Sequence, residues 1–249
     1  MSDTKAQNIT DRLTSTERDR RSPNVRPKDT ATLIIIDRSG SAPKVLMGRR
    51  HPGHKFMPGK FVFPGGRIEA GDRAMTVAGA LHGRAEEALL ARTTRPSARR
   101  GRALALAAIR ETFEETGLLL GTKEHGAPER TPEGPWRSFA ERGVFPDLEV
   151  LQFVARAITP PRRPKRFDTR FFAIDRTAIA DEVGGVIGPD SELVELTWTT
   201  IADARSLDLP VITLTVLEDL EERIAAGFRH ELPVPFYYEG QGRFVREQL

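Results

Sequence analysis

The 249-residue chain contains no cysteine, which excludes disulfides, thiolate zinc sites and cysteine nucleophiles together. Long apolar runs are also missing. Stretches such as Leu33 to Ile36 are far too short to span a bilayer. The first residues are polar and charged where a signal peptide needs an apolar run. No G-x-S-x-G nucleophile elbow and no Walker phosphate loop occurs. His51 and His54 are close, but His82, His125 and His230 are scattered, so no zinc spacing emerges. No excess charge of one sign is gathered in a patch either. The 38 basic and 35 acidic residues are interspersed and leave a formal charge of only +3, which argues against a nucleic-acid partner. These absences leave a cytoplasmic enzyme, with neither nucleic acid nor membrane as partner and a mild preference for small anions.

What is present suits one sizeable domain with a core that needs no staples. Residues 1–29 hold Arg12, Arg18, Arg20, Arg21 and Arg26 among Asp11, Glu17 and Asp19, with few large apolar residues, so a mobile tail is expected. From residue 30 the pattern turns periodic. Strands are expected at Thr32 to Asp37, Lys44 to Met47 and Phe61 to Phe63, the last stopped by Pro64-Gly65-Gly66. Helical composition runs from Val77 to Ala91, a basic loop from Thr93 to Gly101, and a second helix from Ala103 to Thr116, closed by Gly117. Further strands are expected at Leu148 to Ile158, Arg170 to Ile174 and Leu193 to Thr199, with a helix from Val211 to Ala226 after Pro210. The mixture, without strict alternation, predicts an α/β fold.

The informative segment is Arg110-Glu111-Thr112-Phe113-Glu114-Glu115-Thr116-Gly117. On a helix, Glu111, Glu114 and Glu115 share one face, while Leu106, Ile109 and Phe113 anchor the other. Crowded carboxylates raise one another's pKa unless a cation sits among them, and hard oxygen ligands favour Mg²⁺ or Mn²⁺. Arg110 stands four residues before Glu114 and could hold a carboxylate in place. A solvated acidic face with an Arg–Glu pair would explain the octapeptide equally well. The double glycine at Gly65-Gly66 shifts the balance, because it lets backbone approach a ligand and offers a carbonyl oxygen.

Gly66, Asp72, Arg110, Glu111, Glu114, Glu115, Gly117 and Leu118 together resemble the Nudix signature, G-x5-E-x7-R-E-U-x-E-E-x-G-U with U apolar. Asp72 replaces a glutamate, Thr112 an apolar residue, and most of residues 73–102 is an insertion where the signature normally has seven residues in all. The resemblance implies an α/β/α sandwich with a mixed sheet and a helical insertion. It implies Glu111 and Glu115 as metal ligands, Glu114 as a further ligand or general base, and the carbonyl of Gly66 or Gly65 as another donor. Glu195 is the candidate for an additional ligand from a later strand, with Glu192 in reserve; an ordinary polar strand position is the competing reading. Many members of the family dimerise, so a homodimer is a possibility to test.

The span from Leu46 to Gly66 is partly similar to coenzyme A diphosphatases of this family. Leu46, Arg49, Gly59 and Phe63-Pro64-Gly65-Gly66 match, with Lys55 in place of an arginine. Phe56-Met57-Pro58-Gly59, the insertion, and Arg166 to Phe172 resemble the branch that carries a long insertion. The resemblance implies cleavage of coenzyme A or an acyl-CoA, with Arg49 and Lys55 meeting phosphate and Gly59 shaping the loop. A pyrophosphatase acting on ADP-ribose, dinucleotides or NDP-sugars shares the same metal site. A non-catalytic nucleotide-sensing module is the alternative from another class. The insertion arginines Arg84, Arg92, Arg95, Arg99, Arg100 and Arg102 could meet a 3′-phosphate, lie in solvent or form a dimer contact.

Overall fold

The computed structural model describes residues 3–54 and 57–249, and in them a central sheet is covered on both faces by helices. Strand β1 (Lys28–Asp37) explains why both faces must be covered. Leu33 and Ile35 enter one core, Ile34 and Ile36 the other, and all four are fully buried, as the two-residue period of a strand requires. Strand β1 runs parallel to β7 (Phe167–Asp175) and antiparallel to β2 (Lys44–Arg50) and β4 (Gly65–Arg67). The sheet is therefore mixed. Its main path is β11 (Arg243–Gln248), β10 (Pro235–Gly240), β6 (Gln152–Ile158), β7, β1, β2 and β3 (Phe61–Val62). Strand β9 (Leu193–Thr200) joins on β2, and a separate pair links β5 (Leu118–Leu120) with β8 (Ile179–Glu182).

On one face lie α2 (Gly83–Leu90), α3 (Ala98–Thr116) and α4 (Trp136–Glu141), packed on Ala31, Leu33, Leu46, Phe153 and Phe172. On the other lie α1 (Asp3–Ser15), α5 (Ile201–Ala204) and α6 (Val211–Ala225), packed on Ile34, Val45, Met47 and Phe171. This is the expected α/β/α sandwich. Among the described residues, no helix is long and apolar enough to cross a membrane.

Helix α3 starts where the Ser97 hydroxyl accepts the Arg100 N–H, and it stops at Gly117, whose φ of +80° is the left-handed cap that glycine adopts without strain. The helix begins at Ala98, five residues before the expected start, so Arg99 and Arg100 are helical rather than in a basic loop. The helix expected from Val77 is confined to α2, because Gly79 takes a φ of +61° and His82 serves as the N-cap.

Residues 3–15 correct the expectation of a mobile tail. They form α1, whose Ile9 and Leu13 are buried in the core beneath α6. Arg12 makes two hydrogen bonds to Glu218, at 2.9 and 2.6 Å, and Lys5 meets Glu222 at 2.7 Å. Two apolar residues one helical turn apart suffice when a complementary face awaits them, a fact that average composition does not reveal. The hairpin of β10 and β11 was not anticipated either, although Gly240-Gln241-Gly242 between aromatic-rich runs is a turn signal.

Candidate active site

The sheet brings the double glycine under the second half of α3. Gly65 and Gly66 on β4 pair with Thr32 and Ala31 of β1, and Glu111 lies against Gly66 so closely that a methyl group there would overlap its carboxylate. A methyl on Gly65 would likewise strike the Ala31 carbonyl and Thr32. Close approach to sheet backbone thus requires glycine at 65, whereas a side chain at 66 would displace the Glu111 carboxylate.

Arg110 is the hub of this assembly, at 1% exposure. Nε and Nη2 hold Asp72 at 2.8 and 3.2 Å, Nη1 holds Glu111 at 3.0 Å and also Glu114, and Nη2 donates to the Arg67 carbonyl at 2.7 Å. Its donors are all satisfied by protein. Burial disfavours its charge, but hydrogen bonding to Asp72 and attraction from Glu111, Asp72 and Glu114 raise its pKa above the ordinary value. Arg110, expected among the catalytic residues, thus has each of its guanidinium donors directed to a protein acceptor.

Asp72, completely buried, explains how that hub is held. It also accepts the Trp136 indole N–H at 3.1 Å and the Glu69 N–H at 2.7 Å. The insertion therefore leaves the Asp72 position attached to α3.

Glu115 has a different environment. It is 7% exposed, and its Oε2 has no hydrogen-bond partner. Burial pushes its pKa well above the carboxylate range. Repulsion from Glu192 and Glu111 adds to this, against smaller help from Arg50 and the Gly65 N–H. Glu111 and Glu114 are raised as well, chiefly by burial and against the pull of Arg110. An orphaned carboxylate oxygen in a group of like charges is the environment that a hard divalent cation relieves. The side chains as they stand enclose no ion: among the described residues, no three acidic or imidazole groups converge tightly enough.

The two later-strand candidates, Glu195 and Glu192, have different partners. Glu195 pairs with Arg49 at 2.9 Å across the β2–β9 ladder, and both side chains are about half exposed. The carboxylate that repels both Glu111 and Glu115 is Glu192, the reserve candidate. Glu192 pairs with Arg50 at 2.9 Å, and the Arg50 Nε is buried without a partner. Arg50, not Arg49, is thus the β2 arginine beside the carboxylates. Adjacent strand residues point to opposite faces, so only one of Arg49 and Arg50 can stand on the side of the carboxylates. Gly59 has a φ of +71°, consistent with a loop-shaping role. Lys55 lies outside the described residues. Among the insertion arginines, Arg84 pairs with Glu87, Arg92 with Glu247, and Arg102 donates to the Met75 carbonyl, so these three face away from the carboxylates.

No protein-family model matches the chain. Among solved structures, it is similar to a NUDIX hydrolase from Alicyclobacillus acidocaldarius, with 29% identity over 78% of this chain and 90% of that one, at a TM-score of 0.59. It also resembles the NUDIX domain of Shewanella oneidensis NrtR complexed with ADP ribose (13% identity, 90% and 99% covered, TM-score 0.44). The MutT protein from Methanosarcina mazei Go1 is similar too, at 15% identity, 82% and 96% covered, and a TM-score of 0.44. Of these three, the Alicyclobacillus protein alone has both sequence and fold in its favour. The chain has the Nudix fold.

Proposed function

We propose that this chain is a Nudix diphosphatase that cleaves the diphosphate linkage of coenzyme A or an acyl-CoA. The products would be 3′,5′-ADP and 4′-phosphopantetheine or its acyl derivative. The observation that carries the hydrolase reading is Glu115: buried, short of a partner, and crowded by Glu111 and Glu192 beside the Gly65-Gly66 backbone. Glu111, Glu115 and Glu192 would hold Mg²⁺ or Mn²⁺, together with the Gly66 carbonyl. Such an ion neutralises diphosphate oxygens and lowers the pKa of a bound water. Glu114 is the most exposed of the three helix carboxylates and is held by Arg110, so it suits acceptance of a proton from the attacking water. Arg110 and Asp72 keep Glu111 and Glu114 in position without touching the substrate. Arg50 is proposed ahead of Arg49 as the phosphate partner, since it stands beside Glu192 and Glu115 whereas Arg49 pairs with Glu195.

The substrate class rests on the resemblance of Leu46 to Gly66 to coenzyme A diphosphatases. The experiment is to incubate the purified chain and its Glu115→Gln variant with Mg²⁺ or Mn²⁺ and separately with coenzyme A, an acyl-CoA, ADP-ribose, NADH and diadenosine polyphosphates. Metal-dependent release of 3′,5′-ADP from coenzyme A, lost in the variant, is expected. AMP from ADP-ribose with coenzyme A untouched would keep the metal site and refute the substrate. Turnover of none of them would overturn the hydrolase reading in favour of a nucleotide sensor. Arg50→Ala is expected to raise KM for coenzyme A, whereas Arg49→Ala is not.

A further inference from the structure

A second basic site lies at the opposite end of α3 from the acidic cluster. Arg26 (just before β1), Arg92 and Arg95 (between α2 and α3), Arg100 (first turn of α3), Arg156 (β6) and Arg170 (β7) line one cavity of about 340 Å³. Its acidic lining is Asp29 and Asp168 alone. Arg100 and Glu111 are eleven residues apart, or about 16 Å along the helix axis at 1.5 Å per residue. The ribose between a 5′-diphosphate and a 3′-phosphate does not cover that span, so the cavity is separate from the diphosphate site.

The floor is built rather than incidental. Arg156 is 4% exposed and holds Asp168 through two bonds of 2.8 Å. It also donates to the Ala91 and Arg92 carbonyls at 3.1 and 3.3 Å, tying the insertion to the sheet. Phe236 stacks on its other side at 4.4 Å. Arg170, 2% exposed, donates to Asp29 at 2.6 Å and to the Asp168 carbonyl at 2.8 Å, yet its Nε has no partner. Arginines are rarely buried with an unused donor, because the lost hydration has no return. Burial lowers the Arg170 pKa in spite of both aspartates, so its charge is under-compensated.

The rim repeats the imbalance. Arg92 is paired with Glu247 and Arg100 stands 3.9 Å from Asp29, but Arg26 and Arg95 have no ion pair among the described residues. The first turn of α3 carries no acidic residue to complement the positive end of the helix dipole, and Arg99 and Arg100 add to it. The under-compensated Arg170 and the uncomplemented start of α3 are each unfavourable alone, and an anion held by the rim arginines relieves both.

We propose that this arginine cavity is a binding site for phosphate, free or as a small phosphomonoester, distinct from the site where the diphosphate is cleaved. The guanidinium groups of Arg26, Arg95 and Arg100 supply the donors, and the under-compensated charge of Arg170 lines the same cavity.

The test is calorimetric titration of the full chain with inorganic phosphate, in EDTA and at constant ionic strength. Saturable one-to-one binding is expected with a dissociation constant of roughly millimolar or tighter. The Arg26→Ala/Arg95→Ala double variant changes two exposed side chains, so its melting temperature without phosphate should match the wild type. Its phosphate affinity should fall at least about tenfold, the loss of charge-assisted hydrogen bonds. Glu115→Gln should bind phosphate as the wild type does. Absence of saturable binding, undiminished affinity in the double variant, or loss of binding in Glu115→Gln would each overturn the proposal. A sugar phosphate binding more tightly than inorganic phosphate would identify the esterified form as occupant, and equal affinity the free ion.

Discussion

Replacing Asp72 by alanine should destabilise the protein more than any single change in the exposed part of the acidic helix. The carboxylate is wholly buried and accepts four hydrogen bonds, from Arg110 Nε and Nη2, Trp136 Nε1 and the Glu69 N–H. Its removal leaves the Arg110 Nε, one Nη2 hydrogen, an indole N–H and a backbone N–H without acceptors. Deleting one partner of a buried ion pair typically costs about 3–5 kcal/mol. Glu111 and Glu114 still face Arg110, which favours the lower part of that range. For a chain of this length, about 2–4 °C of melting temperature goes with each kcal/mol, so a fall of roughly 6–20 °C is expected. Urea unfolding of Asp72→Ala, Arg110→Met and the double variant would give the coupling directly. The double variant should lose much less than the sum of the singles, because removing Arg110 also removes the stranded charge. A loss below about 1 kcal/mol in Asp72→Ala, or additive losses, would refute the hub.

Three other outcomes follow from the same structure. Gly66→Ala should lower kcat at least about a hundredfold with little change in stability, because the added methyl overlaps the Glu111 carboxylate rather than core atoms; steady-state kinetics beside a melting curve checks this. Leu13→Ala should cost about 2–5 kcal/mol in chemical denaturation, as for other fully buried leucines, whereas a truly mobile segment would show no loss. Burial pushes the Asp175 carboxyl up, but bonds from the Thr177 N–H and hydroxyl and from Arg38 outweigh it and leave the pKa below its ordinary 3.8. A depressed folded-state pKa stabilises above the unfolded value and fades as pH falls below it. Asp175→Asn should therefore melt lower than the wild type at pH 7, and the difference should shrink as pH drops below about 4; a gap that widened in acid would reverse the assigned sign.

Much of the site was legible because its residues lie on one helix. Spacing alone places Glu111, Glu114 and Glu115 together, and Gly117 marks the end of α3. The partners across the sheet were not legible to the same degree. Which of Glu192 and Glu195 stands beside the helix, and which of Arg49 and Arg50, depends on which face of the β2–β9 ladder packs against α3. The docking of α1 escaped composition because only Ile9 and Leu13 are fully buried, and their value depends on the α6 face opposite. The arginine cavity was visible only as scattered basic residues, since Arg156 and Arg170 come from strands far along the chain from Arg95 and Arg100.

Residue order is enough to specify the strands whose side chains alternate into two cores, the capped acidic helix, and the chemistry that three carboxylates and two glycines can support. Local periodicity and steric limits act within a few residues, so they can be read without knowing the rest of the chain. Long-range packing is what encloses Arg110 among Asp72, Glu111 and Glu114, leaves Glu115 with an unpaired oxygen, and brings six arginines around one cavity. Burial and long-range charge depend on distances between segments remote in the chain, and those distances are set by how the sheet pairs and how the helices close over it.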